Sequence, residues 1–365
     1  MRSSSLSKNL RVIIPGVLPI LFGLGVVLVE SHTALAACAP PNSTTPVGAC
    51  PPAPSLAPVQ GASATALDIS NLFWIILGLS VLVFIPVMGA LIISIVRFSH
   101  RPGDDEEPKQ VYGNRRVEIA WTALPAGILL VTFILTVIVM NQVDAPVNAA
   151  NALKVEAIGH QWWWEFRIPS EHIVTANEFH IPDNRLVEIQ ATSADVIHSF
   201  AVPQLTRQID ANPNIKTYVY ISQARRGVYP GACYEFCGQG HAWMQFRVTV
   251  DSPAAFQAWA KSQAAPPAAP TTALAQQGES LFFGQSCGAC HTINGTPANG
   301  IAAPNLTHVG SRWAIAGGVL VMSEQNLERW IANPQQWKEG ALMPSFASLP
   351  ENQLHALAAY LIGLK

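Results

Sequence analysis

Cys233-Tyr-Glu-Phe-Cys237-Gly-Gln-Gly-His241-Ala-Trp-Met244 gathers two thiols, an imidazole and a thioether into twelve residues, with His198 some distance upstream. Soft sulfur donors beside imidazole suit copper better than any hard cation. A single blue-copper site needs one Cys, two His and an axial Met, so the second cysteine needs a reason. Two thiolates on one loop can bridge two copper ions. Each ion then takes one imidazole, from His198 or His241, and one weak donor, from Met244 or the main-chain carbonyl of Glu235. A rigid, sulfur-bridged pair spreads one electron over both ions, so little moves when the electron arrives or leaves. Three other readings compete. Cys233 and Cys237 form a disulfide; the site holds zinc, which seldom takes a thioether; or the chain is a C-x3-C copper-delivery protein, whose thioredoxin-like alternation of strand and helix is missing here.

Around this loop, from Leu153 to Val250, short alternating runs such as Leu186-Val187-Glu188-Ile189 and Phe246-Arg247-Val248-Thr249-Val250 are separated by Pro, Asn, Asp and Gly. That texture predicts an antiparallel β-sandwich over residues 150–260. A Pro-bearing run of small residues, 261–275, reads as a linker.

Upstream, Leu72–Val96 and Ile119–Met140 contain no charged residue over 25 and 22 positions. Each is long enough to cross a hydrocarbon layer of roughly 30 Å as a helix, and residues 67–141 are predicted to form a transmembrane hairpin kinked at Pro86 and Pro125. The connection holds Arg97, Arg101, Lys109, Arg115 and Arg116, whereas residues 38–70 hold no Lys or Arg. The positive-inside rule places the connection in the cytoplasm and everything after Met140 outside. Residues 1–37, with Arg2, Lys8 and Arg11 before the apolar run Val12–Val29, read as an export signal. Leu35-Ala36-Ala37-Cys38 resembles a lipobox, so Cys38 is either a lipidated first residue or the disulfide partner of Cys50. Residues 38–66, rich in Pro, Ala, Ser and Thr, read as a disordered leader.

Downstream, residues 276–365 return to helical spacing, with Leu354, Leu357, Ala358 and Leu361 on one face of a terminal helix and Ser348 and Glu351 spaced as its capping box. Cys287-Gly-Ala-Cys290-His291 is a C-x-x-C-H motif: two cysteines form thioethers to haem vinyl groups and the histidine ligates the iron. A redox disulfide is the alternative. The second axial ligand is expected at Met343, in Leu342-Met343-Pro344, ahead of Met322. His/Met ligation raises the reduction potential and suits an electron carrier. His308 and His355 read as ordinary surface or packing residues.

The apolar hairpin, Gly159-His160-Gln161-Trp162-Trp163-Trp164, Asp195-Val196-Ile197-His198-Ser199-Phe200-Ala201-Val202-Pro203 and the cysteine loop together resemble subunit II of the haem–copper cytochrome c oxidases over roughly residues 65–260. The resemblance implies a cupredoxin sandwich whose binuclear CuA ligands are His198, Cys233, Glu235, Cys237, His241 and Met244. It implies further that the Glu235 carboxylate faces a magnesium ion at the interface with subunit I. Trp162 matches an exposed aromatic through which cytochrome c passes electrons to CuA, although an aromatic on a strand also reads as packing. Glu118 matches the carboxylate at the cytoplasmic mouth of a proton path, or is a helix-terminal anchor favoured by the dipole. The chain departs from the family in carrying Gln208 where many members have Lys two residues before the aspartate matching Asp210. Gly278-Glu-Ser-Leu-Phe-Phe, C-x-x-C-H, Met-Pro and a terminal helix resemble class I cytochrome c over 276–365.

The expected architecture is thus a multidomain membrane protein: a two-helix anchor, an all-β cupredoxin-like domain and an all-α cytochrome c domain. Half of its 365 residues are hydrophobic and 12% charged, and a net charge of −2 offers no basic field for nucleic acid. The resemblance implies electron transfer from cytochrome c, or from a cytochrome c reductase, through haem c and CuA to subunit I. Oxygen reduction and proton pumping would occur there, with subunit III alongside, in a bacterial inner membrane and with both soluble domains on the periplasmic side. A CuA-containing nitric oxide reductase and an exported copper-binding protein are the alternatives.

Overall fold

A computed structural model describes residues 60–99, 103, 110–144 and 149–365. The export signal 1–37, residues 38–59 of the leader with Cys38 and Cys50, and Arg101 and Lys109 of the inter-helix connection lie outside the described residues. At the end of the leader the reading as disordered fails, since Gly61, Ala62 and Ser63 are buried and a helix begins at Ala64.

Among the described residues two helices come first, α1 (Ala64–Arg97) and α2 (Arg115–Val143). They are apolar on all sides, and Leu82, Phe84, Ile85, Leu124, Leu129 and Phe133 are all more than 60% exposed, the pattern of surfaces meant for lipid. Pro86 and Pro125 lie inside them. Ser63 caps α1 by accepting from Ala66 N–H, and Asn114 caps α2 by accepting from Arg116 and Val117 N–H.

The β-domain holds β1 (Leu153–His160), β2 (Trp163–Ile168), β3 (Ile173–Ala176), β4 (Glu178–Pro182), β5 (Val187–Ser193), β6 (His198–Ala201), β7 (Ile209–Ala211), β8 (Thr217–Ile221), β9 (Gly227–Cys233) and β10 (Gln245–Asp251). They form two five-stranded sheets, ordered β3-β2-β1-β5-β8 and β4-β10-β9-β6-β7. The sheets are mixed rather than purely antiparallel: β1 pairs with β5, and β10 with β4, in parallel. Alternating burial marks a strand with one wet face but carries no information on the direction of its neighbour, which long connections set. Trp164, Phe166, Phe179, Phe200 and Phe246 interlock between the sheets, with Phe200 and Phe246 stacked at 4.9 Å. A helix, α3 (Pro253–Ala264), follows, so regular structure reaches into the stretch read as linker.

The C-terminal unit begins after Ala265. It contains α4 (Ala273–Gly284), the short hairpin β11 (Ala314–Ile315) and β12 (Leu320–Val321), α5 (Glu324–Ala332), α6 (Pro334–Trp337) and α7 (Glu351–Gly363). Its core gathers Phe282, Ile293, Val309, Leu327, Ile331, Leu357, Tyr360 and Leu361. One expectation fails: Ser348 and Glu351 form no capping box. Pro350, at φ −58° and ψ 147°, occupies the cap position and makes no side-chain bond. Glu351 instead sits in the first turn, where a carboxylate is favoured by the helix dipole.

Candidate metal and haem sites

The metal site is assembled where two paired strands and one loop meet. β6 begins with His198 and β9 ends with Cys233, and these strands run antiparallel with Phe200 opposite Cys233. Beyond β9 the chain turns back on itself and brings Cys237 to 3.8 Å from Cys233, sulfur to sulfur, both residues being buried and neither in a disulfide. That distance is far beyond a disulfide bond. Each sulfur has its own imidazole: His198 Nδ1 lies 3.8 Å from Cys233 Sγ, and His241 Nδ1 lies 3.6 Å from Cys237 Sγ. The Glu235 carbonyl oxygen stands 3.2 Å from Cys233 Sγ, and Met244 is fully buried just before β10. Among the described residues, His198, Cys233 and Cys237 form the one cluster of His, Cys, Asp or Glu tight enough for a metal.

The electrostatics favour metal capture. The Cys237 thiol beside Cys233 outweighs burial and, with His198, holds Cys233 down to about 4, so its thiolate forms readily; Cys237 is pushed upward by the same contact and by burial. Burial alone would lower His198, but its bonds to Asp195 and Cys233 raise it overall. His198 is fully enclosed, and its Nε2 is 2.7 Å from Asp195 Oδ1. Asp195 also accepts from the N–H groups of Gln161 and Val196, each at 2.7 Å, which lowers its pKa despite burial. A ring held at Nε2 presents Nδ1 to the sulfurs. Gly159 makes room: a Cβ there would meet the His198 ring at 2.5 Å.

Trp162 is only 9% exposed and is not the open aromatic that the resemblance implies. Its indole packs on Gly238 and Gly240, and its Nε1–H donates to the Cys237 carbonyl at 2.9 Å; the Gln161 amide donates to the same oxygen at 2.8 Å. Sequence reasoning left Asp195 and Gln161 out of the site, although both stand in the motifs that flagged it. Glu118 is remote from the cysteine loop in the chain and accepts from Asn114 N–H at 3.0 Å, closing the first turn of α2. Gln208 is preceded by Arg207, whose guanidinium pairs with Asp144 at 2.8 Å.

In the C-terminal unit, Cys287, Cys290 and His291 sit on one tight turn, with His291 N–H bonded to the Cys287 carbonyl at 3.0 Å. His291 Nδ1 faces the Pro304 carbonyl at 2.7 Å, and burial, with Arg312 nearby, lowers the pKa of the ring despite that bond, which favours the neutral form. A neutral imidazole fixed through Nδ1 offers Nε2 as a ligand. Pro304 was not singled out in the sequence, because a carbonyl clamp leaves no mark on side-chain chemistry. Met343, on the chain leading to α7, and Met322 both pack against the core.

Residues 55–145 match the cytochrome c oxidase subunit II transmembrane domain, residues 171–252 its periplasmic domain, and residues 275–365 the cytochrome c family. Cytochrome c oxidase subunit 2 of Alkalihalophilus pseudofirmus is 35% identical over 288 residues, spanning 78% of this chain and 83% of that one. The chain belongs to the cytochrome c oxidase subunit II family. Subunit 2 of Bacillus subtilis is 32% identical, spanning 74% and 81% of the two chains. The periplasmic domain of subunit II of the Bradyrhizobium japonicum oxidase is 29% identical over 31% of this chain and 94% of its own, with a TM-score of 0.30. As a subunit II with a cytochrome c domain, the chain is a membrane-anchored part of a haem–copper oxidase and works in electron transfer. Its two soluble domains imply copper and haem respectively.

Proposed function

We propose that this subunit II takes electrons from cytochrome c, or from a cytochrome c reductase, and delivers them to the haem of subunit I. Oxygen is reduced to water there, with proton pumping and with subunit III in the same complex. The observation that carries this reading is the pairing of each cysteine with its own imidazole, at 3.8 and 3.6 Å, around two sulfurs 3.8 Å apart. A mononuclear centre has no use for that duplication, whereas a two-copper centre uses every donor. His198, Cys233, Glu235 through its carbonyl, Cys237, His241 and Met244 would hold the copper pair. Cys287 and Cys290 would bind haem c covalently, with His291 and Met343 as its axial ligands. Bound there, haem c and copper supply reversible one-electron chemistry, the haem first in the path.

The remaining residues act on geometry and solvent. Asp195 fixes the tautomer of His198, and Gln161 and Trp162 fasten the Cys237 carbonyl, holding the loop still. Trp162, laid on the loop, is the candidate route for electrons arriving from outside. The exposed Glu235 side chain leaves its carboxylate for a magnesium ion at the subunit I interface. Glu118 closes a helix end and stands where a proton path would open on the cytoplasmic side. The anchor belongs in a bacterial inner membrane, with both heads in the periplasm.

Metal analysis and electron paramagnetic resonance of the purified complex test the site. Two coppers and one haem iron per chain, with the unpaired electron shared by two copper nuclei, are expected; one copper, or zinc, overturns the reading. Oxygen consumption with reduced cytochrome c separates an oxidase from a nitric oxide reductase, which would consume nitric oxide instead.

A further inference from the structure

The three residues ahead of α1, Gly61, Ala62 and Ser63, are buried although they lead directly into a lipid-facing helix. They are stitched into the β-domain on two sides. On one side, Ala62 N–H donates to the Gln204 carbonyl at 2.7 Å, and the Ser63 hydroxyl donates to the Leu205 carbonyl. On the other, Arg225 N–H donates to the Ala62 carbonyl at 2.7 Å, the Arg225 guanidinium donates to the Gly61 carbonyl, and Ala64 N–H donates to the Ser222 carbonyl at 3.2 Å. Tyr229 Oη in turn donates to the Arg225 carbonyl at 2.7 Å.

Ser63 is the hinge pin of this arrangement. Its oxygen accepts from Ala66 N–H at 3.1 Å, capping α1, while its proton goes to Leu205; a hydroxyl has one donor and two acceptor sites, so both bonds form at once. The membrane helix and the β-domain therefore share one side chain, itself 1% exposed.

The two loops that receive these residues lead to the metal site. The Gln204–Leu205 loop follows β6, whose other end is His198; the Ser222–Arg225 loop precedes β9, whose other end is Cys233. β6 and β9 are hydrogen-bonded neighbours, Ala201 lying opposite Ala232. At about 3.3 Å per residue, the seven residues of β9 span roughly 20 Å from the stitched end to the cysteines. A second link to the anchor is Arg207, which pairs with Asp144 at the C-terminal end of α2. That bond is exposed and so contributes little rigidity.

We propose that Gly61–Ser63 is a strap that sets the height and tilt of the β-domain over the membrane anchor, with Ser63 as the positioning residue. Through the β6–β9 pair the strap fixes where the cysteine loop stands relative to the subunit that receives its electrons. The proposal rests on the copper reading above only for that last consequence. The positioning itself is independent of any metal.

The test uses the intact oxidase complex. Nitroxide labels at Tyr112→Cys, at the helical end, and Ile215→Cys, on the β-domain, report their separation by pulsed electron paramagnetic resonance. Both parent side chains are exposed. The parent and Ser63→Thr, which keeps the hydroxyl, should give one narrow distance distribution. Ser63→Ala should broaden it and slow electron exit from copper to subunit I at least threefold after flash reduction, with the copper spectrum unchanged. A Ser63→Ala distribution as narrow as the parent's, or a broadened one with an unaltered exit rate, overturns the proposal. If Ser63→Ala does not assemble, Arg225→Lys, which retains the main-chain bond to Ala62 but not the guanidinium reach to Gly61, is judged by the same two readouts. A broadened distribution in a complex whose parent lacks the copper spectrum would sink the copper reading and leave the positioning intact.

Discussion

Asp195 accepts from two main-chain N–H groups, has the Ser193 hydroxyl 3.4 Å from Oδ1, and faces His198, the one partner that belongs to the proposed copper ligands. Gln161 and Val196 N–H hold the carboxylate in place; the carboxylate then holds His198 Nε2–H. Replacing Asp195 by Ala frees the ring to rotate or change tautomer. Outer partners of metal-bound histidines are worth about 10–100-fold in affinity, so Asp195→Ala should weaken copper retention on that scale. Asp195→Asn, whose amide oxygen still accepts from Nε2–H, should recover most of it. Competition with a Cu(I) chelator, followed by the visible copper bands, measures the effect; unchanged retention in Asp195→Ala would show that the ring is held by packing alone. The donors themselves were legible because Cys, His and Met at these spacings have few other uses. Asp195 was not, because a carboxylate three residues before a histidine acquires meaning only when the turn into β6 folds it back onto the ring. The Pro304 carbonyl was invisible for a stronger reason, since every residue has a carbonyl.

Helix α4 crosses α7 where Gly278 meets Ala356: a Cβ on Gly278 would stand 1.9 Å from the Ala356 carbonyl oxygen. Backbone cannot yield as a side-chain tip can, so Gly278→Ala must push the helices apart. Overpacking of this kind costs about 1–3 kcal/mol, and thermal unfolding of the cytochrome domain should fall accordingly, with little change at the copper loop. A second contact on α7 is electrostatic. His355 Nδ1 lies 2.6 Å from Glu328 and 3.8 Å from Glu324, both on α5, and the Glu328 bond raises the histidine pKa. A raised folded-state value means that the contribution is complete below the unfolded pKa, near 6.5, and is lost as pH climbs through the folded one. The midpoint of cytochrome-domain unfolding should therefore drop as pH rises above about 6.5. His355→Gln should flatten that part of the profile, and an unchanged slope would remove His355 from the account. At this scale the sequence disclosed the two membrane helices, the alternation of the β-domain and the apolar face of α7 through their periods, but not α3, which lies across the stretches read as sandwich and linker. It did not disclose the parallel pairs β1–β5 and β4–β10, because strand direction is decided by connections rather than by the strands. Nor did it show that Pro350, not Ser348, would cap α7. Both residues suit a helix start, and the choice depends on where the preceding loop leaves the core.

On the proposed path, joining a cytochrome c domain to a copper domain in one chain would replace a collision between separate proteins by an encounter at an effective concentration in roughly the millimolar range. Long-range charge attraction, which speeds the meeting of free partners, then has little left to supply. The charges agree: residues 276–365 carry Glu279, Glu324, Glu328, Glu339 and Glu351 against Arg312, Arg329, Lys338 and Lys365, a near balance. More tellingly, Ser280–Ser311, which bears Cys287, Cys290 and His291, contains no Asp, Glu, Lys or Arg, and neither does Gly340–Pro350 around Met343. The segments that carry the expected haem ligands thus have no charged side chain of their own with which to steer a partner, and Arg312, which acts on His291, is buried. Raising ionic strength from 0.01 M to 1 M shortens the screening length from about 30 Å to about 3 Å. Electron transfer from haem c to copper inside the intact complex should nevertheless change by less than about twofold over that range, because screening removes an attraction that the haem-bearing segments do not supply. Flash reduction of the haem, followed at the copper bands across a salt series, gives the rate directly. A steep fall with salt would mean that charges elsewhere on the two domains bring them together, and that fusion alone does not account for their meeting.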